Sequence, residues 1–239
     1  MRQRVCQGLL SARSTGFYRQ YGKRVFDLTF ALVALITLSP LLLALGLMIR
    51  LKLGKPILFR QERVGKNERI FRVHKFRTMS NARDECGQLL PDEKRLTEFG
   101  LFLRRWSLDE LPQLVDVVAG NLSLVGPRPL LVRYLPRYTA RQRCRHLVHP
   151  GITGISQIKG RNLLAWKVRF EYDLWYARNI SFLLDIWIIT ETIKSFFRKD
   201  TTMAGGGRDV EEFWGNYRRP ETKLKSLPAN ETYEAIKCK

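Results

Sequence analysis

The stretch Leu28–Ile49, LTFALVALITLSPLLLALGLMI, decides how this chain is read. Its 22 residues carry no charge, enough for a straight helix to cross a bilayer. Ser39-Pro40 stands at its centre. Proline lacks an N–H and clashes with the carbonyl four residues back, so a helix kinks or breaks there. In lipid the freed backbone groups need partners, and the serine hydroxyl beside the proline is one. A spanning helix with a tolerated kink therefore competes with a hairpin that dips in and returns. The flanks favour the hairpin. Arg19, Lys23 and Arg24 precede the run and Arg50, Lys52 and Lys55 follow it, so neither side is richer in cations. A re-entrant hairpin would place both flanks on one anionic lipid surface, at ~1 kcal/mol per charge. Each half, at about 11 residues, is too short to cross.

The 239 residues suffice for one substantial domain plus appendages. Residues 1–200 hold net +19 of the chain's +20, and a body this basic suits a polyanion: nucleic acid, anionic lipid or a phosphorylated substrate. Cys6, Cys86, Cys144 and Cys238 show no CxxC spacing and no disulfide framework, the pattern expected in a reducing cytosol. The opening MRQRVCQGLL lacks an adequate apolar core for a cleaved signal peptide.

Four regions follow from pattern: a basic lead over 1–18, the broken membrane segment over 19–53, a catalytic domain over 54–200 and a polar tail over 201–239. Pro56 to Met79 alternates β-branched and aromatic residues with charges around Gly65-Lys66-Asn67, which predicts a half-buried hairpin. Residues 80–95 read as loop or a short exposed helix. Apolar spacing predicts a helix over Leu96–Trp106, and Leu114–Val118 extends to a stop at Gly120-Asn121. Two aromatic-rich helices are expected over 163–178 and 180–198, with Trp and Tyr beside Lys and Arg as in interfacial helices. Ordinary burial of those faces is the competing reading. The fold class is α/β, mainly helical with a small hairpin or sheet.

Ser107-Leu108-Asp109-Glu110 fits a capping box with Trp106 and Leu111 as its staple, or else Pro112 opens the helix at its first position. Either way two carboxylates lie at a helix start, where backbone donors favour phosphate. One can attack while the other holds a metal or handles a proton; plain capping is the alternative. In GNLSLVGPRPLL, Pro127 and Pro129 stiffen the loop that carries Arg128, which suits a bidentate phosphate contact. In HKFRTM, Lys75 and Arg77 share one face if the strand continues. HPGITGISQIKGR ends at Arg161 and matches no dinucleotide or Walker pattern. His146 and His149 lack a third ligand nearby and read as structural or solvated.

Taken in order, QxRxG (Gln61, Arg63, Gly65), KFRTM, SLDELPQ, SLVGPRP and PGITGxxQxxGR resemble the bacterial sugar transferases, the monotopic polyprenyl-phosphate phosphoglycosyl transferases. The resemblance covers about Tyr18 to Lys199. It is nearest to the small type acting on N,N'-diacetylbacillosamine, without the N-terminal multi-span region of larger relatives. It implies transfer of a sugar 1-phosphate from a UDP-sugar to undecaprenyl phosphate with release of UMP. Asp109 would be the nucleophile and Glu110 its partner, with Mg²⁺ at the pair. Lys75, Arg104 and Arg128 match the cations around the phosphates. The resemblance also implies a re-entrant helix at the cytoplasmic face of the bacterial inner membrane, among anionic lipids. Arg133 departs from the glutamate that relatives often carry there. A nucleic-acid-binding protein is the main rival, because a basic chain with interleaved aromatics can hold single strands. The long apolar run argues against its solubility, so nucleic acid is not the expected partner. A non-catalytic membrane scaffold of the same fold is a third reading.

Overall fold

The computed structural model describes Cys6 and residues 16–160, 164–197 and 212–215. A wide π-turn over Tyr18–Gly22 runs into helix α1 (Lys23–Thr37), and α2 (Ser39–Leu53) follows after one residue, Leu38. The two arms meet at a 63° bend. No single helix is long and apolar enough to cross a membrane, although the bent pair passes that test together. Pro40 occupies the first turn of α2, where its missing N–H costs least. The carbonyl four residues back belongs to Ile36, and Ser39 Oγ donates to it at 2.8 Å. The serine hydroxyl thus replaces the lost backbone donor. Each arm has 15 residues, longer than the sequence suggested, because the flanking basic residues extend both helices.

Those flanks behave differently from one another. Arg19 donates to the Ala177 carbonyl, Lys23 pairs with Asp185 at 2.8 Å, and Arg24 holds the Val117 and Val118 carbonyls. The leading cations therefore fasten the hairpin to the protein rather than facing a lipid surface. Arg50, Lys52 and Lys55 on the trailing side are exposed.

Strands β1 (Leu58–Val64) and β2 (Ile70–Phe76) form the expected antiparallel hairpin, with Phe59 opposite Lys75 and Arg63 opposite Phe71. Helix α3 (Glu98–Arg105) is capped by Thr97, whose side chain accepts from the Gly100 N–H. A Cβ on Gly100 would overlap the Thr78 carbonyl, so glycine there lets the helix lie directly on the chain leaving β2. Helix α4 (Gln113–Val118) leads to β3 (Ser123–Val125), which pairs in parallel with β4 (Gly151–Thr153). The glycine- and proline-rich sequence around both strands reads as loop, and their pairing is a tertiary effect. Helices α5 (Trp166–Arg178) and α6 (Phe182–Phe197) complete the chain's main body.

Ala31, Leu114, Val117, Leu124, Val125, Tyr176 and Ile188 form one core in which α1, α4, β3, α5 and α6 meet. A second core joins α2 to the hairpin and α3 through Leu45, Ile49, Phe76 and Leu103. Asp27 is buried on α1 and accepts from the Leu124 N–H of β3. Both arms of the broken helix are therefore built into the domain. The α5 face follows the ordinary-burial reading at Phe170, Leu174 and Tyr176, whereas Trp175 and much of α6 remain exposed.

The expectation of unpaired cysteines is overturned. Cys6 and Cys144, 138 residues apart, form a disulfide packed against Leu174, and Cys86 is also disulfide-bonded. Spacing along the chain carries no information about pairs brought together by folding. The cysteine pattern therefore gives no support to a reducing compartment.

Candidate active site

Glu110 sits between two cations. Its Oε1 accepts from Lys75 Nζ at 2.6 Å and from Arg128 Nη2 at 3.2 Å. Lys75 projects from β2, Arg128 from the loop after β3, and Glu110 from a 3-10 turn over Leu108–Glu110 between α3 and α4. Burial alone would raise the Glu110 pKa, but Arg128 and Lys75 outweigh it and hold the carboxyl at about 2. Asp109 is 8% exposed and is pushed the other way, to about 6, by burial and then by the Glu110 charge. Lys75, Arg104 and Arg128 pull it back only in part. Adjacent carboxylates with separated pKa values are suited to different roles. Among the described residues no hydrogen bond reaches the Asp109 carboxylate. It is a desolvated anion near three cations, without a protein partner of its own.

The local backbone corrects the capping-box reading. Ser107 adopts a left-handed conformation with φ 52° and makes no side-chain cap. This sharp turn reverses the chain after α3 and turns Asp109 and Glu110 toward β2. Pro112 stands one place before the helix rather than at its first position, as the cap residue of α4. That helix spans six residues, and its short dipole contributes little. The positive field comes from Lys75, Arg104 and Arg128.

The PRP loop is held at every carbonyl. Gly151 N–H donates to Pro127 at 3.1 Å, Arg145 Nη2 to Arg128 at 2.7 Å, and Arg63 Nη1 to Pro129 at 3.3 Å. Burial first, and then repulsion from Arg128, lowers the Arg63 guanidinium to about 10. Arg145 is fixed by a buried pair in which its Nε and Nη2 both donate to Asp173 Oδ2, at 3.0 and 2.7 Å, and Ser156 Oγ donates to Asp173 Oδ1. Sequence reasoning assigned no role to Arg145 or Asp173. The available signal was an acidic residue on the aromatic face of α5, which requires a buried cation.

Behind the loop lies an aromatic cluster of Leu130, Tyr134, Tyr138, Phe170 and Phe213. Phe213 comes from the region read as tail and lies 5.0 Å from the Phe170 ring centroid. Its carbonyl and the Glu212 carboxylate both accept from Arg137 Nη1, and Arg133 pairs with Glu212 at 3.3 Å. The unusual arginine at 133 thus has a partner within this chain. Phe213→Ala should cost about 3–5 kcal/mol, seen as a lower Tm by thermal denaturation. An unchanged Tm would show that the segment does not contribute to folding.

Arg104 Nε donates to Thr78 Oγ1 at 3.0 Å, and its charge reaches Asp109. Arg77 does not join the site. β2 ends at Phe76, so Arg77 leaves the strand alternation and donates to the carbonyls of Leu53, Gly54 and Lys55 at the end of α2. It is a structural clasp. Arg161 lies outside the described residues. His146 is buried against Tyr138, and burial together with Lys66, Arg24 and Lys23 pulls His149 down to about 4. Among the described residues no three metal-ligating side chains cluster. Mg²⁺ often takes only one or two carboxylates, with substrate phosphates and waters completing its shell. Asp109 and the second oxygen of Glu110 fit that limited role.

Residues 18–199 match the bacterial sugar transferase family. The chain belongs to that family. Its relatives include a sugar transferase of Bacillus subtilis, EpsL, 47% identical over 194 residues, covering 81% of this chain and 96% of the relative. The undecaprenyl-phosphate galactose phosphotransferase of Salmonella typhimurium is 35% identical over 81% of this chain and 43% of its own length. The UDP-glucose:undecaprenyl-phosphate glucose-1-phosphate transferase of Xanthomonas campestris is 40% identical over 73% of this chain and 38% of its own. The chain thus spans less than half of these two larger proteins and nearly all of EpsL. For this sugar transferase, Arg128→Ala should lower kcat/KM for donor by about 1.5–3 kcal/mol, or roughly 10- to 150-fold. Arg105→Ala, at the exposed end of α3, should stay near wild type. Equal kinetics would remove the special role of the PRP loop.

Proposed function

We propose that the enzyme moves a sugar 1-phosphate from a UDP-sugar to undecaprenyl phosphate through a covalent phosphosugar on Asp109. The observation that carries this reading is the Asp109–Glu110 pair, one carboxylate desolvated and unbonded, the other clamped by Lys75 and Arg128. The Asp109 oxygen attacks the sugar-bearing phosphorus, the bond to the bridging oxygen breaks, and UMP leaves. A phosphate oxygen of the lipid then attacks the same phosphorus and frees the Asp109 carboxylate. Donor and acceptor use one site in turn, so a soluble nucleotide and a membrane-bound lipid need not fit together. Arg128, Lys75 and Arg104 balance phosphate charge, and the pinned PRP loop keeps that balance pre-organised. Mg²⁺ held by Asp109 and Glu110 would neutralise the diphosphate and the departing UMP. Relatives named for galactose, glucose and N-acetylgalactosamine transfer support the general reaction. The test is purified enzyme with undecaprenyl phosphate and a panel of UDP-sugars, including N-acetylated and deoxyamino sugars, scored by UMP release. Failure on every donor would end the proposal.

The same reading places the protein on the cytoplasmic leaflet of a bacterial inner membrane, with α1 and α2 dipping in and returning. The support is the outward apolar surface of the bent pair, including Ile36 at 73% and Leu43 at 76% exposed, together with the exposed cations after α2. Substituted-cysteine labelling in intact cells should find both ends of the pair on the cytoplasmic side. Pro40→Ala should straighten the pair and shift part of the population to a spanning form. An N-terminal flank labelled from outside would overturn the re-entrant topology.

A further inference from the structure

A groove of about 530 Å³ runs between the C-terminal end of α3 and the last turns of α6. Phe102, Trp106, Leu108, Ile193, Phe196 and Phe197 line it. No charged side chain is among them, and Phe102, Trp106 and Ile193 are 49, 44 and 53% exposed. Large apolar side chains left this open in one patch mark a site for an apolar ligand or partner. What sets this groove apart is its neighbour. Leu108 forms part of its wall, and the next residue is Asp109. The left-handed turn at Ser107 carries the chain directly from groove to dyad. Lys75, Arg104 and Arg128 all act on the charge of Asp109, so the residue that follows the groove wall in sequence is the one the three cations face.

We infer that this groove holds the first isoprene units of a polyprenyl phosphate, with its phosphate at the cations beside Asp109. The inference rests on the proposed transfer reaction and adds the place where the acceptor lies. An amphiphile with an anionic head and a branched hydrocarbon tail matches both halves: the tail covers aromatic and aliphatic surface, and the head meets a site where three cations outnumber the two carboxylates of the dyad. A soluble sugar nucleotide matches only the cationic half. A second copy of the chain would cover the groove but leave the cations unmatched. The groove also explains how the acceptor phosphate is delivered within reach of the phosphosugar while the tail stays out of water.

The test uses the full chain in nanodiscs and a polyprenyl phosphate carrying a benzophenone in its first isoprene units. After irradiation, peptides spanning 102–108 and 193–197 should carry the label. Unlabelled polyprenyl phosphate should compete, and phosphatidylglycerol at the same concentration should not. Labelling elsewhere, or equal competition by phosphatidylglycerol, would overturn the proposal, the second because the groove would then be an ordinary lipid contact. Phe102→Ser and Ile193→Ser, both at exposed positions, supply the kinetic readout. Each should raise KM for the long-chain acceptor at least tenfold and narrow its advantage over a ten-carbon prenyl phosphate, with the rate of phosphosugar formation from donor alone retained. A parallel loss in the donor-only step would mean structural damage and count against the groove. Specific labelling in a protein that forms no phosphosugar would leave the groove standing and remove the covalent reaction.

Discussion

Asp109→Asn should fold, associate with membrane and show no turnover, a loss on the order of 10⁴–10⁶-fold, the scale for removing a covalent nucleophile. The amide keeps the size of the carboxylate but has no anionic oxygen to attack phosphorus. Wild-type enzyme given UDP-sugar and Mg²⁺ without acceptor should gain the mass of one phosphosugar and release one UMP. The variant should gain nothing. Stability separates this from a structural role. Asp109 is raised to about 6, above its value in an unfolded chain, so its charge weakens the fold as pH rises from about 3.8 to about 6 and stays unfavourable above. Asparagine carries no such charge. The variant should therefore melt no lower than wild type at pH 7.5, whereas loss of a helix cap would cost about 0.5–2 kcal/mol and leave activity largely intact. A phosphosugar on the Asp109→Asn protein, or robust turnover by it, would show that another group is the nucleophile.

The parts of this site that were legible in the sequence are those fixed by local chemistry. Alternation on either side of Gly65-Lys66-Asn67 located the hairpin and with it Lys75, because side-chain period is a property of the strand itself. The two prolines around Arg128 announced a stiff presentation, and the structure adds that all three loop carbonyls are held. Ser39-Pro40 located the helix break to within two residues. What was not legible depends on partners distant in sequence. Reading the strand on to Met79, three residues past its end at Phe76, puts Arg77 on the Lys75 face, whereas the carbonyls of Gly54 and Lys55 just after α2 draw it away. Ser107 looks like a cap because of its residue type, yet packing of α3 against Thr78 and of the dyad against β2 forces it left-handed. The Arg145–Asp173 brace, the β3–β4 pairing and the docking of Phe213 join segments that nothing in their local composition connects. The leading cations Arg19, Lys23 and Arg24 were read as a lipid-facing flank, but each has a protein acceptor. What faces outward on both arms is apolar surface, including Ile36 and Leu43.

The second large effect belongs to Glu110 and is best read from pH dependence. In wild type the rate of phosphosugar formation should fall about tenfold per pH unit on the acid side of the Asp109 pKa, about 6 in the protein alone and lower wherever Mg²⁺ sits on the carboxylate. Donor alone must be used, because the acceptor is a phosphate monoester whose second ionisation lies near 6 as well. Glu110→Gln should cut turnover by about 10²–10⁴-fold, the range for losing an acid–base or charge-handling group. It should also move the acid limb in a definite direction. Removing the Glu110 charge ends its repulsion of Asp109, and it releases Lys75 and Arg128 from the carboxylate that now neutralises them. Both changes favour ionised Asp109, so at saturating Mg²⁺ the limb should shift to lower pH than in wild type even as the maximum rate falls. A slower enzyme with a wider acid range is an outcome that simple damage to the fold does not produce. If the limb stays in place or rises, ionisation of Asp109 does not govern the first step, and the division of labour between the two carboxylates must be redrawn.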